Sequence, residues 1–127
     1  MTFKNCKFEA GFRMPHSTTI GNVTIENCTV TDSTFTGSDA TGAMVGLNNG
    51  STIITGATVT GNTIDGGTGY SAAALVGTSA GGTTATGVTA SGNTFTISGL
   101  NYQVYDSTYG YVYKHGLTYS VNGSALN

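Results

Sequence analysis

Ala43-Met44-Val45-Gly46, followed by Val59-Thr60-Gly61-Asn62-Thr63-Ile64, is written again as Ala74-Leu75-Val76-Gly77, followed by Ala90-Ser91-Gly92-Asn93-Thr94-Phe95. From 43 to 74 and from 61 to 92 the separation is the same, 31 residues. An equal offset at both ends of a unit is a register, and a fixed-period repeat decides architecture before local propensity does. A shorter core widens the pattern to four copies: Asn5-Cys6-Lys7-Phe8, Asn27-Cys28-Thr29-Val30, Gly56-Ala57-Thr58-Val59 and Gly87-Val88-Thr89-Ala90. Side chains alternate faces along a strand. Cys6/Phe8, Cys28/Val30, Ala57/Val59 and Val88/Ala90 therefore share one apolar face. Lys7, Thr29, Thr58 and Thr89, with Glu9, Thr31, Thr60 and Ser91, make the opposite, polar one.

Phe35, Ile64 and Phe95 lie seven residues after Cys28, Ala57 and Val88 and are expected to stack. Val23/Ile25 and Ile53/Ile54 precede the same cores, and the last copy thins to Thr84-Ala85. Gly66-Gly67-Thr68-Gly69 and Ala80-Gly81-Gly82 supply corners, where positive φ costs glycine little. Helix has no place in a chain of period-two apolar residues, β-branched side chains and frequent Gly. The expected fold is all-β: a right-handed single-stranded parallel β-helix, or solenoid, of about four coils over residues 1–100, with a Tyr-rich β cap over residues 101–127. A β-sandwich of hairpins would use similar strands but leaves the 31-residue register unexplained.

Met44-Val45-Gly46-Leu47-Asn48-Asn49-Gly50, then Ile53/Ile54 and Val59-Thr60-Gly61, repeated from Leu75-Val76-Gly77 to Gly92, resembles the GLUG-type repeats of bacterial surface and adhesin-like proteins. The resemblance covers roughly residues 20 to 97 and implies a secreted β-solenoid stalk or passenger region. Phe3 to Phe8 already reads as part of a unit, so a longer parent chain is expected, extracellular or on the cell surface.

Past Leu100 the register is lost, and six of the seven tyrosines fall between Tyr102 and Tyr119. An open solenoid end exposes its apolar stack and unpaired edge amides, so this tail is expected to cap it. Its functional rival is a carbohydrate-binding platform on Tyr105, Tyr109, Tyr111 and Tyr113, since exposed tyrosine rings offer flat amphipathic faces.

Composition narrows the function further. Charged residues are 8% of the chain and the net charge is −2. Four scattered cations cannot form the dense basic face that nucleic acid requires. No apolar run reaches the roughly 20 residues of a membrane helix, and no membrane insertion is expected. Aligned in register, Glu26 meets Thr55 and Thr86, Asp32 meets Gly61 and Gly92, and Asp65 meets Thr36 and Thr96, so no acid pair forms for glycosidase work. Gly77-Thr78-Ser79-Ala80-Gly81 matches a nucleophile elbow, with Asp106 and His115 downstream, but that motif turns from a strand into a helix and Gly82-Thr83-Thr84 cannot start one. Cys6 and Cys28 occupy equivalent positions one coil apart. Free core thiols are the preferred reading, with a disulfide sterically open. His16 and His115 read as turn residues, and no metal or cofactor is expected. Asn22, Asn27, Asn49 and Asn122 head Asn-x-Ser/Thr triplets, as composition alone would produce.

The outward Thr29/Thr31, Thr58/Thr60 and Thr89/Ser91 form a Thr-x-Thr ladder of the sort that orders water in ice-binding solenoids, although Thr is favoured on any solvated strand face. The leading expectation is a non-catalytic structural or adhesive module of a larger bacterial surface protein. Alternatives are the tyrosine carbohydrate module, an ice-binding solenoid and a fragment of a carbohydrate-active β-helix enzyme. Partners expected are a glycan or host surface protein, and further copies of the chain stacked end to end.

Overall fold

In the computed structural model of the chain, residues 2–8, 21–37, 40–98, 103–113 and 118–126 are described, and their regular structure is entirely β. Three short strands, Val23–Glu26, Thr29–Thr31 and Thr34–Thr36, are followed 29 residues later by Thr52–Thr55, Thr58–Thr60 and Thr63–Asp65, and 31 residues after that by Thr83–Thr86, Thr89–Ser91 and Thr94–Thr96. Equivalent strands pair in parallel. Glu26, Thr55 and Thr86 lie side by side in the first sheet, Val30, Val59 and Ala90 in the second, and Phe35, Ile64 and Phe95 in the third. Thr2–Lys4 and Lys7–Phe8 add a strand each to the first and second sheets, with Lys7 opposite Thr29. The stacking expected of Phe35, Ile64 and Phe95 is thus present, and so are the 22-, 29- and 31-residue steps.

A five-residue rhythm makes these strands short. Val23, Cys28 and Ser33 are buried, as are Ile25, Val30 and Phe35, each set advancing by five. Between one strand and the next stands a residue with positive φ: Asn27 and Asp32 in this unit, Gly56 and Gly61 in the following one, Gly87 and Gly92 in the last. The left-handed conformation bends the chain and resets the face on which side chains alternate, so an inward residue falls three places after the previous one instead of two. The bend leaves backbone groups without ladder partners, and asparagine amides fill in. Asn62 accepts from Ser33 N at 3.0 Å and donates to Val30 O at 3.0 Å, while Asn93 accepts from Asn62 N and donates to Val59 O.

The Ala-Met/Leu-Val-Gly stretch lies in a fourth sheet built from Ala40–Gly42, Val45–Asn48, Ser71–Ala73 and Val76–Ser79. Between its paired strands Ala43, Met44, Ala74 and Leu75 are completely buried in the core. Met44 N and Val45 N both donate to Leu75 O at 3.0 Å, which locks one unit onto the next. Gly77 admits no side chain, because a Cβ there would stand 2.6 Å from both Gly46 O and Ser71 Oγ. The repeated tetrapeptide is therefore a core plug followed by a close backbone crossing.

The end of the chain leaves the repeat. Gln103–Asp106 and Gly110–Tyr113 form an antiparallel hairpin whose second strand sits between Ser71–Ala73 and Val76–Ser79 in the fourth sheet. Tyr119–Val121 then continues the first sheet in parallel beside Thr83–Thr86, and Ser124–Ala125 folds back antiparallel upon it. Val121 stacks on Ala85, where the apolar ladder thins. Asn122 takes up the capping role of the earlier asparagines, accepting from Val88 N and donating to Val88 O at 2.9 Å each. The fully buried Tyr119 ties the tail to the second repeat: its hydroxyl donates to Val76 O at 2.8 Å and accepts from Val76 N at 3.1 Å.

Adjacent isoleucines in the Thr52–Thr55 strand separate the two faces. Ile54 is wholly buried and Ile53 is 50% exposed between Thr24 and Thr84. Truncating the equally buried Ile64 to Ala is expected to lower unfolding free energy by about 2–5 kcal/mol, and Ile53→Thr to change it by less than about 0.5 kcal/mol. Urea denaturation measures both, and comparable losses would contradict the assigned faces.

Candidate functional site

Four of the tyrosines converge on one side of the C-terminal hairpin. Antiparallel pairing sets Tyr105 directly opposite Tyr111, with ring centroids 4.6 Å apart and planes tilted by 39°. Tyr113, two residues beyond Tyr111, shares its face and meets Tyr70 edge-on at 5.3 Å and 66°. Val104 and Val112, the intervening pair, pack against the core, and the half-buried Tyr111 touches it as well. Tyr105 is 57% exposed, and the other three are half-buried. Of the residues expected from sequence, Tyr105, Tyr111 and Tyr113 are brought together. Tyr109 goes elsewhere: it lies in the hairpin turn, half-buried against the core cluster, and burial followed by the nearby Asp106 charge raises its phenol above the usual range. Tyr70 was missed because it belongs to the repeat and reaches the tail only through the fold.

The threonine ladder is also real in register. Thr29, Thr58 and Thr89 lie side by side, as do Thr31, Thr60 and Ser91. It is not confined to that face, however. The third sheet sets Thr34, Thr63 and Thr94 in line, with Thr36 and Thr96 flanking Asp65, and the first sheet aligns Thr55 with Thr86. The five-residue rhythm was the signal for these additional rows. Threonine at 24, 29 and 34 repeats it on the outward side.

The remaining candidates resolve locally. Cys6 and Cys28 are free thiols, each donating to the carbonyl two residues earlier, Lys4 O at 3.2 Å and Glu26 O at 3.4 Å. Burial pushes the Cys28 thiol above its ordinary pKa. Ser79 is buried and its hydroxyl donates to Gly50 O at 2.6 Å, within a polar cluster in which Asn48 donates to Thr52 Oγ1 and Thr52 Oγ1 meets Ser79 Oγ at 3.0 Å. Its strand is followed by a turn at 80–81 and then the strand Thr83–Thr86, so no helix follows as a nucleophile elbow would require. Asp106 caps its own turn by accepting from Thr108 N and Tyr109 N. Glu26 pairs with Lys4 at 3.2 Å. Among the described residues the register joins no two acids, and no three potential metal ligands cluster. Tyr102, His16, His115, Lys114 and Glu9, and the side chains of Phe3, Lys7 and Phe8, lie outside what is described. Asn22, Asn27, Asn49 and Asn122 are all exposed.

No family model, curated protein or solved structure matches the chain.

Tyr119 gives the tail a pH signature. Its phenol is held neutral well above the ordinary tyrosine range by complete burial. Its contribution to stability is therefore complete below about pH 10, the value in an unfolded chain, and falls as pH rises beyond it. Tyr119→Phe leaves both polar groups of Val76 without this partner and is expected to cost about 1–3 kcal/mol at neutral pH while flattening the alkaline decline. Thermal melts from pH 7 to about pH 11 on both proteins measure this. An unchanged alkaline slope in the variant would show that Tyr119 is not its source.

Proposed function

We propose that the stacked parallel sheets form a right-handed single-stranded parallel β-helix, with repeats over residues 1–100 and a capping segment over 101–127, and that the chain serves as a non-catalytic structural or adhesive module of a larger secreted or cell-surface bacterial protein. The observation carrying this reading is the in-register stacking of equivalent positions, apolar inward and threonine-rich outward, around three successive sheets. Right-handed winding follows from the preference of parallel crossovers, about 98% of which take that hand. The resemblance to GLUG-type repeats supports a surface setting. The role is passive: buried ladders hold the units together and a nearly neutral Thr/Asn exterior meets solvent, host surface protein or glycan. The first-unit strands Thr2–Lys4 and Lys7–Phe8 end the first and second sheets among the described residues, which supports end-to-end stacking of copies.

A polysaccharide panel tests the non-catalytic reading, with the purified chain expected to release no reducing ends. Release that survives repurification and disappears on substitution of a single carboxylate would replace the module by an enzyme. Antibody labelling of intact source cells tests the location, and labelling only after lysis would refute it.

Ice binding is the second reading, favoured by the Thr29/Thr58/Thr89 and Thr31/Thr60/Ser91 ladders. A lattice-matched surface needs one flat side unlike the others, whereas threonine here recurs at outward positions of all three sheets, among Ile53, Glu26 and Asp65, as solvation alone would select. No thermal hysteresis is expected at micromolar protein. Hysteresis abolished by Thr60→Tyr would reverse that ranking.

A further inference from the structure

We infer that the outer face of the C-terminal hairpin, together with Tyr70, is a binding platform for an uncharged polysaccharide chain. This goes beyond the structural role proposed above and stands or falls separately from it. Large apolar surface left in water marks an interaction site when it is contiguous rather than scattered. Ile53 is exposed but lies between Thr24 and Thr84, whereas the exposed Tyr105 stacks against Tyr111, and Tyr113 on the same face packs against Tyr70. The rings are mounted rigidly. Gly110–Tyr113 is hydrogen-bonded to Gln103–Asp106 and to strands of the repeat, and Val112 beneath it is wholly buried.

The chemistry of the face selects its occupant. Flat tyrosine rings offer an electron-rich surface to the C–H faces of pyranose rings, and a phenol hydroxyl can both donate to and accept from sugar hydroxyls. Among the described residues of the hairpin the one carboxylate, Asp106, occupies the side of the strand opposite Tyr105 and is engaged by Thr108 N and Tyr109 N. The described residues of the hairpin thus offer no ionic partner on the tyrosine face, which favours a neutral ligand. Tyr111 and Tyr113 stand about 7 Å apart along the strand, with Tyr105 beside one and Tyr70 beside the other. That spread spans more than a single sugar and lies on a sheet face, which suits a chain.

The whole chain is to be run by affinity electrophoresis through gels containing soluble β-1,3-glucan, xylan or galactomannan, and incubated with insoluble cellulose and chitin, at low and high salt. Retention by at least one neutral polysaccharide is expected, unchanged by salt. Tyr105→Ala is expected to weaken it by about tenfold or more, Tyr105→Phe to keep most of it, and Ile53→Ala to leave it unaltered. Tyr105 is the most exposed of the four, and equal melting temperatures would establish that its variants fold. Retention by none of the panel, equal retention of wild type and Tyr105→Ala, or binding confined to sulfated or carboxylated chains and lost in salt would each overturn the proposal. So would a dimer in sedimentation that Tyr105→Ala dissociates, since a second copy would then occupy the face. Release of reducing ends would refute the non-catalytic role while leaving the platform standing.

Discussion

Asn27 and Asp32 hold φ at 53° and 50°, and Gly56, Gly61, Gly87 and Gly92 take the same hand of backbone at the aligned positions of the following units. Everything else depends on those bends. Each stops a strand after three or four residues, returns the next inward side chain to the core, and must lie directly beside its counterpart if the parallel ladders are to stay in register. Only residues that tolerate a left-handed backbone can stand there, which is why the positions are Asn, Asp or Gly and nothing else. The glycines also relieve crowding. A Cβ at Gly56 would stand 2.5 Å from Asn27 Oδ1, and one at Gly61 would stand 2.6 Å from Asp32 Oδ1. At those two positions a side chain in one unit faces a glycine in the next, whereas Asn5 and Asn27 both keep theirs, Asn27 Nδ2 donating to Asn5 Oδ1 at 3.4 Å.

The repeat of 31 residues, the inward and outward alternation within each core and the stacking of Phe35, Ile64 and Phe95 were legible in the sequence, since all three follow from spacing alone. The corners were less so. Phe35 lies seven residues after Cys28, an odd interval that strict alternation would send to opposite faces, so a break in phase at Asp32 was implied by the pattern. Glycine-rich segments such as Gly66-Gly67 draw the eye first, whereas a single Asn or Asp between β-branched residues looks like ordinary strand. The same oversight hid the outward rows at Thr34, Thr63 and Thr94, which become visible once the period is taken as five. It also bears on Ile53 and Ile54: adjacent residues of one type carry no alternation, and only the register with Thr24 and Ile25 separates the buried one from the exposed one.

The tyrosine face was legible only in part, for a topological reason. Tyr105, Tyr111 and Tyr113 belong to one hairpin, and alternation places Tyr111 and Tyr113 together. Tyr109 occupies the turn, where alternation has no force. Tyr70 is distant in sequence and comes beside Tyr113 because the hairpin strand enters the fourth sheet between strands of the second repeat. Covering a stack of apolar ladders demands large side chains, and Tyr119 and Val121 meet that need with buried faces. Capping explains those two residues. It does not explain an exposed Tyr105 resting on another tyrosine.

A cap selected for stability alone would turn its aromatic rings inward and finish its outer face as the repeats finish theirs, with threonine and serine. That rule holds for Ser120, which continues the outward row of Thr84 on the first sheet. It fails at the hairpin, where the exposed Tyr105 rests on a half-buried Tyr111 that also touches the core. Keeping a half-exposed ring in water forgoes burial that a polar residue would not need; Ile53 does so as a single residue between threonines, whereas at the hairpin the exposed ring lies against a second tyrosine. Departure from the threonine rule, more than the presence of tyrosine as such, marks this face as the place where the chain meets something other than water.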